Sequence, residues 1–172
     1  VDLSSREADI GIRGGRSSSR ILVEKSLGEI QGALFATSEY LARRLPSRFL
    51  AQSDYATQDF IAKEAGGAVK GGPPHWLVQR GAVHFPLRSN AFDARLQAGL
   101  EGIGIVELAA GSAATYPTLQ RIALEDPITP VRFFLTMHRD LRKVPRMRAF
   151  ALEVQQVFAD YMALQHAEEA RF

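Results

Sequence analysis

The sequence predicts an α/β fold with a mixed, mostly parallel sheet. Segments with strand-like and helix-like apolar spacing alternate along its 172 residues. The segment 82–108 contains a strand, a helix and a strand in succession, which favours a parallel crossover. Hydrophobic residues make up 46% of the chain, enough to form the core of one ordinary domain or of two small lobes.

Short apolar runs in the first half predict strands, polar loops and two helices after an initial helix end at 3–8. Strands are expected at 9–13, 21–25, 30–36 and 48–51. Thr37 and Ser38 precede an apolar stretch and predict a helix with a hydroxyl N-cap, which ends before Pro46. The segment 57–65 predicts a second short helix, because its apolar residues fall on one side at helical spacing.

The second half predicts strands at 75–78, 82–87, 103–108, 121–124 and 131–137. Ser89 and Asn90 are expected to cap a helix that Gly102 ends. Another helix is expected over 109–119. The last helix should begin at Pro145, a residue typical of the first helical turn. Its apolar stripe has helical spacing and consists of Met147, Phe150, Ala151, Val154, Val157, Phe158, Tyr161 and Met162.

Composition excludes several classes of protein. The absence of cysteine excludes a disulfide scaffold, a thiolate zinc site and a cysteine nucleophile. No apolar run reaches the roughly 18–20 residues of a membrane span, and the start lacks a signal-peptide pattern. The chain does not begin with Met, which suggests an N-terminally truncated domain. A net charge of +2, with basic residues clustered only at 139–148, does not indicate nucleic-acid binding.

Catalytic and metal-binding patterns are not found in the sequence. The four histidines are far apart and lack metal-ligand spacing. Ser112 follows a glycine but lacks the second glycine of a nucleophile elbow. Glu39, Asp93 and Glu107 form no recognisable acid–base pair. We therefore predict no catalytic residue, no metal and no cofactor.

Polar residues at two predicted helix starts are the best candidates for a binding site. Thr37 and Ser38 follow one strand, and Ser89 and Asn90 follow another. Free backbone N–H groups and the positive helix end at such positions suit a carboxylate or another small anion. In open α/β sheets, ligands bind beyond the carboxyl ends of strands. Plain N-capping also explains each pair by itself, so both interpretations stay open.

Four stretches, in their order and spacing, resemble the effector-binding domain of LysR-type bacterial transcriptional regulators. They are DLSSREADIGIR at 2–13, LFATSEYL at 34–41, QAGLEGIGI at 97–105 and PRMRAF at 145–150. The resemblance implies a two-lobed, periplasmic-binding-protein-like (type II) domain that binds a small-molecule effector between its lobes. Lobe I would comprise 1–44 plus 131–172, and lobe II would comprise 45–130.

The resemblance also implies a set of ligand-binding residues: Arg13, Gly14, Thr37, Ser38, Ser89, Asn90, Val106, Glu107 and Phe133. Family members usually have an apolar or hydroxyl residue where this chain has Glu107. This carboxylate could therefore favour a cationic effector or pair with Arg13.

The resemblance further implies a cytoplasmic homo-oligomer, a dimer or a tetramer, without membrane contact. DNA would be bound only through a helix-turn-helix domain that this chain does not contain. A solute-binding protein of a transport system is the alternative, since it would share the two-lobed architecture. A small α/β enzyme is a third hypothesis, which the missing nucleophile–base pair disfavours.

Overall fold

The computed structural model describes residues 8–17, 19–64 and 76–170. Its strands are β1 (Ile10–Gly14), β2 (Leu22–Ile30), β3 (Gly32–Thr37), β4 (Phe49–Leu50), β5 (Asp59–Ala62), β6 (His84–Arg88), β7 (Ile105–Ala109), β8 (Leu119–Leu124) and β9 (Val131–His138). Its α-helices are α1 (Ser38–Arg44), α2 (Trp76–Gln79), α3 (Phe92–Leu100) and α4 (Pro145–Glu169). Short 3-10 helices span Gln52–Ala56, Ala110–Ala114 and Arg139–Lys143.

The chain divides into two compact units. Unit 1 comprises residues 1–31 and 129–172, and unit 2 comprises residues 32–128. The sequence predicted the first division after residue 44 instead. The structure divides earlier because β3 is hydrogen-bonded between β7 and β8. β3 is therefore part of the sheet of unit 2, and the helix that follows it, α1, also belongs to unit 2.

Unit 1 is a three-stranded antiparallel sheet with α4 packed against it. The strand order is β1-β9-β2. Leu135 and Met137 of β9 pack with Leu27 of β2 and Ala151 of α4 in a small buried core. The predicted β9 and α4 are confirmed, and α4 begins at Pro145 as expected.

Unit 2 contains a six-stranded sheet with buried residues on both faces. The strand order is β4-β8-β3-β7-β5-β6. β5 runs parallel to both β6 and β7, whereas β3 runs antiparallel to β7 and β8. Two apolar clusters, one with Leu34 and Phe60 and the other with Phe35 and Ile61, pack this sheet. The predicted parallel β6–α3–β7 connection is present, with β5 lying between the two strands.

The end of α3 follows the sequence prediction closely. Gly102 has a φ of 68°, which a side chain would strain. Its N–H donates to Gly99 O, and the N–H of Ile103 donates to Ala98 O. These two bonds form a Schellman motif, which satisfies carbonyl groups at the end of the helix and turns the chain into β7.

Several predicted elements are wrong. The segment 57–65 was predicted as a helix, but its described residues 57–64 form no helix. Its apolar run forms β5, whose residues Phe60 and Ile61 are both buried but in different clusters. A strand was predicted at 75–78, but its described residues 76–78 lie in helix α2, which buries Leu77. The segment 109–119 contains only a 3-10 turn before β8. Ser89 and Asn90 do not occupy the N-cap of α3, because Ala91 does. The expected helix end at 3–8 lies almost wholly outside the described residues.

Candidate functional site

The carboxyl edge of unit 2 is the edge of its sheet at which β5, β6 and β7 end. These three strands are parallel, so the segments that follow them meet at this edge. β3 runs the other way and begins there, since Gly32 pairs with Ala109 at the end of β7. Glu64, which follows β5, therefore lies at the same edge as Ser89 and Asn90, which follow β6.

Hydrogen bonds order the segment between β6 and α3. The N–H of Ser89 donates to Ala62 O at 3.0 Å, and the Ser89 hydroxyl accepts the N–H of Ala91 at 3.2 Å. Asn90 Nδ2 donates to Glu64 Oε2 at 3.1 Å. This pair places an amide and a carboxylate side by side, both exposed, directly before the positive end of α3.

Arg95 holds this segment from the interior and was missed by the sequence prediction. Arg95 is 7% exposed, and its guanidinium donates to Ser89 O at 2.6 Å. It also lies over the Phe92 ring, 5.9 Å from the ring centroid. Arg95 directly precedes the buried Leu96, and this neighbourhood is the only sequence signal of its role. A charged side chain is rarely buried without a partner, so a buried arginine here implies a structural contact.

The start of α3 offers donors of its own. Ala91 holds the N-cap position in extended conformation, and it makes no side-chain capping hydrogen bond to the first turn. The first turn of such a helix presents backbone N–H groups without intrahelical acceptors. Arg88 ends β6 beside it, with its guanidinium stacked 4.0 Å from the Phe85 ring centroid. The edge therefore offers several donors together with two exposed acidic side chains, Glu64 after β5 and Asp93 in the first turn of α3.

Glu107 lies on β7, and its carboxylate accepts a hydrogen bond from an indole. Trp76 Nε1 donates to Glu107 Oε2 at 2.9 Å. The Trp76 ring meets Tyr55 edge-on at 6.4 Å, and the Arg80 guanidinium lies 5.2 Å from the Trp76 ring centroid. The Trp76–Glu107 pair was not anticipated, because 31 residues separate the two side chains in the sequence. Trp76 is also the single tryptophan of the chain, so its fluorescence reports on unit 2.

Thr37 and Ser38 lie at the opposite edge of the same sheet. Thr37 ends β3 and pairs with Leu119 at the start of β8. Its hydroxyl accepts the N–H of Tyr40 at 3.2 Å, so the predicted N-cap is confirmed. Thr37 is 5% exposed and lies against Gly102. The structure therefore does not bring the two predicted helix starts together.

The remaining predicted site residues lie in the core of unit 2 or in unit 1. Val106 is fully buried in the core of unit 2, where it packs against Gly99. Arg13, Gly14 and Phe133 belong to unit 1. Gly14 pairs with Phe133 across β1 and β9, and Arg13 at the end of β1 is exposed. Phe133 packs towards α4, with its ring 6.1 Å from that of Phe158.

Tyr40 shows the strongest electrostatic perturbation in the described part of unit 2. Burial raises the pKa of its hydroxyl, and the nearby Asp59 carboxylate raises it further. The hydrogen bond from the Asp59 N–H at 2.9 Å partly offsets both effects. Tyr40 donates to Gln58 Oε1, also in the interior, so its hydroxyl connects α1 to the chain entering β5. This role is structural.

A family model described as the LysR substrate binding domain matches residues 1–159. The chain belongs to this family. No curated protein matches the sequence. The match favours a LysR effector-binding domain over the solute-binding protein of a transport system.

Solved structures of LysR-type regulators show the same fold. The regulatory domain of CrgA from Neisseria meningitidis superposes with a TM-score of 0.72 at 18% identity, over 91% of this chain and 78% of that domain. In the longer CrgA structure, the match spans 54% of that chain. The effector domain of AmpR from Pseudomonas aeruginosa gives a TM-score of 0.65 at 17% identity, over 92% of this chain and 76% of that one.

The regulatory domain of CcmR from Synechocystis, solved in complex with 2-PG, gives a TM-score of 0.66 at 15% identity. That match covers 91% of this chain and 76% of that one. The fold of the LysR domain is thus shared with regulators whose sequences have diverged widely.

The described residues of this LysR domain show neither a metal-binding cluster nor a membrane-spanning helix. Within 8–17, 19–64 and 76–170, no group of three or more His, Cys, Asp and Glu side chains is placed to hold a metal ion. No helix in the same part of the chain combines the length and the apolar character needed to span a membrane.

Proposed function

We propose that this chain is the effector-sensing and oligomerisation domain of a LysR-type transcriptional regulator, and that it binds its effector at the carboxyl edge of unit 2. The family match over residues 1–159 carries the first part of the proposal. The second part is supported by the segment after β6, where Asn90, Glu64 and the uncapped start of α3 lie together.

The groups at this edge define the chemistry of the effector. Backbone N–H groups of α3, the Asn90 amide and the Arg88 guanidinium all donate hydrogen bonds, which suits a carboxylate. Glu64 accepts hydrogen bonds and suits a hydroxyl or an ammonium group on the same ligand. We therefore propose a small hydroxy acid or amino acid as the effector. Its position between two lobes, as the family resemblance implies, stays a prediction.

Sensing requires that the effector bind two conformations of the protein with different affinity. A coupling free energy of about 1–3 kcal/mol is typical of such a switch. In this proposal the domain changes no covalent bond, functions in the cytoplasm and assembles as a dimer or tetramer. DNA contact would come from a helix-turn-helix segment outside this chain.

Thermal denaturation in the presence of single hydroxy acids and amino acids tests the proposal. A ligand present at 100 times its Kd stabilises the folded protein by about 2.7 kcal/mol, which a melting curve resolves. We expect at least one compound of this class to raise the Tm. Fluorescence of Trp76 then gives its Kd.

Variants locate the binding site. Asn90→Ala and Arg88→Gln should each weaken binding of that compound at least about tenfold, the loss of a good polar contact. Ser38→Ala is the matched control, because Ser38 is exposed at the opposite edge of the sheet. This variant should bind the compound with the same affinity as the wild type. Equal affinity of wild type and both edge variants would refute the site. A Tm unmoved by every compound of the class would refute the assigned chemistry.

A further inference from the structure

Unit 1 contains a groove that the proposed function does not use. The groove has a volume of about 660 Å³ and runs between β2, β9, the 3-10 helix Arg139–Lys143 and the first turns of α4. Its volume lies in the range of small-molecule sites, about 300–1,000 Å³. Every residue that lines it belongs to unit 1, so the groove is separate from the carboxyl edge of unit 2.

The interior of the groove is apolar. Leu135 and Met137 of β9 line it, together with Val23 of β2 and Ala151 of α4. These four residues belong to the core cluster of unit 1, and Leu135 is 2% exposed. The exposed side chain of Leu152 extends the apolar surface outward. Such a wall suits a hydrocarbon or aromatic body.

The remaining lining residues give the groove a positive charge. Lys25, Arg142 and Arg148 are exposed, and none of their side chains has a hydrogen-bond or ion-pair partner among the described residues. Glu24 contributes one negative charge, but its Oε1 already accepts the N–H of Ser17 at 2.7 Å. Gln155 donates to Ala151 O. Three cationic side chains, unpaired within the described part of the chain, therefore lie beside the apolar wall with one carboxylate, which accepts a backbone N–H.

We propose that this groove is a second ligand site, for an amphipathic monocarboxylate whose apolar body lies against Leu135 and Met137. Its carboxylate would pair with Arg142 and Arg148, since guanidinium groups bind carboxylates in bidentate geometry. Charge complementarity selects this ligand class, because neither a cation nor a neutral hydrocarbon pairs with the three positive charges of Lys25, Arg142 and Arg148. The proposal does not depend on the effector site in unit 2.

Methyl NMR of the 172-residue chain with octanoate as the probe tests this site. The chain has three methionines, of which only Met137 lines the groove. We expect octanoate to shift the Met137 methyl resonance in a saturable way and to leave Trp76 fluorescence unchanged. Acetate lacks the apolar body and octan-1-ol lacks the charge, so both should bind at least about tenfold more weakly.

The double variant Arg142→Gln/Arg148→Gln should weaken octanoate binding at least about tenfold. Both side chains are exposed, so the fold should be retained, and circular dichroism checks this. Arg146→Gln is the matched control, because Arg146 is exposed on the same helix as Arg148 but does not line the groove. The octanoate affinity of this variant should stay within twofold of the wild-type value.

Three results would overturn the proposal: a Met137 resonance unmoved by octanoate, equal binding of octan-1-ol, or an equal loss of affinity in the Arg146 variant. A missing response to hydroxy acids or amino acids at Trp76, with Met137 still responding to octanoate, would instead refute only the effector site in unit 2.

Discussion

Replacing Tyr40 by phenylalanine removes one hydroxyl from the core of unit 2 and leaves the ring packing unchanged. Tyr40 is 1% exposed, and its hydroxyl accepts the N–H of Asp59 at 2.9 Å and donates to Gln58 Oε1 at 3.2 Å. Phenylalanine leaves the Asp59 N–H without this acceptor. A buried donor left unsatisfied costs about 1–3 kcal/mol. The longer bond to Gln58 adds little, since it exceeds the usual O–H···O range of about 2.5–3.0 Å.

We therefore expect Tyr40→Phe to lower the free energy of unfolding by about 2 kcal/mol. For a chain of this size, that corresponds to a fall in Tm of about 4–8 °C. Urea denaturation followed by Trp76 fluorescence measures the loss in unit 2 directly. Tyr116→Phe is the matched control, because the Tyr116 hydroxyl has no hydrogen-bond partner among the described residues, and it should change stability by less than about 0.5 kcal/mol. Equal stability of the two variants would refute the reasoning.

Three further predictions concern unit 2. Above about pH 10 the unfolded chain loses the Tyr40 proton first, because its pKa is raised in the folded state. The free energy of unfolding should therefore fall as pH rises from there, and fall less in Tyr40→Phe. Gly104→Ala should destabilise by at least about 2 kcal/mol in urea, since the new Cβ would lie 2.6 Å from a backbone oxygen of β5. Gly99→Ala should also destabilise in urea, since the new Cβ would lie 2.6 Å from Cγ1 of the fully buried Val106. Thr37→Ala should cost about 1 kcal/mol through loss of the N-cap, whereas Ser38→Ala, measured in the same way, should be nearly neutral.

Local signals in the sequence predicted much of the fold. Pro145 and the apolar stripe after it fixed the start of α4, and Gly102 fixed the end of α3. Both depend on interactions within a few residues. Local spacing failed at 57–65, because a short apolar run buried on both faces of a sheet resembles a helix segment.

Strand direction explains why the two predicted helix starts lie at opposite edges of the sheet. Thr37 and Asn90 both follow strands and precede helices, so the sequence treats them alike. β3 and β6 run in opposite directions in the sheet, which places the two residues at opposite edges. Direction depends on long-range pairing, as does the contact of Trp76 with Glu107 across 31 residues, and local spacing encodes neither of them.

Hydrogen exchange with and without the tightest-binding hydroxy acid or amino acid tests the location of the effector most directly. The proposal predicts slower exchange of the backbone amides at 63–64 and 89–93, and no change at 37–40. Protection confined to 37–40, or to unit 1, would contradict recognition at the carboxyl edge of unit 2.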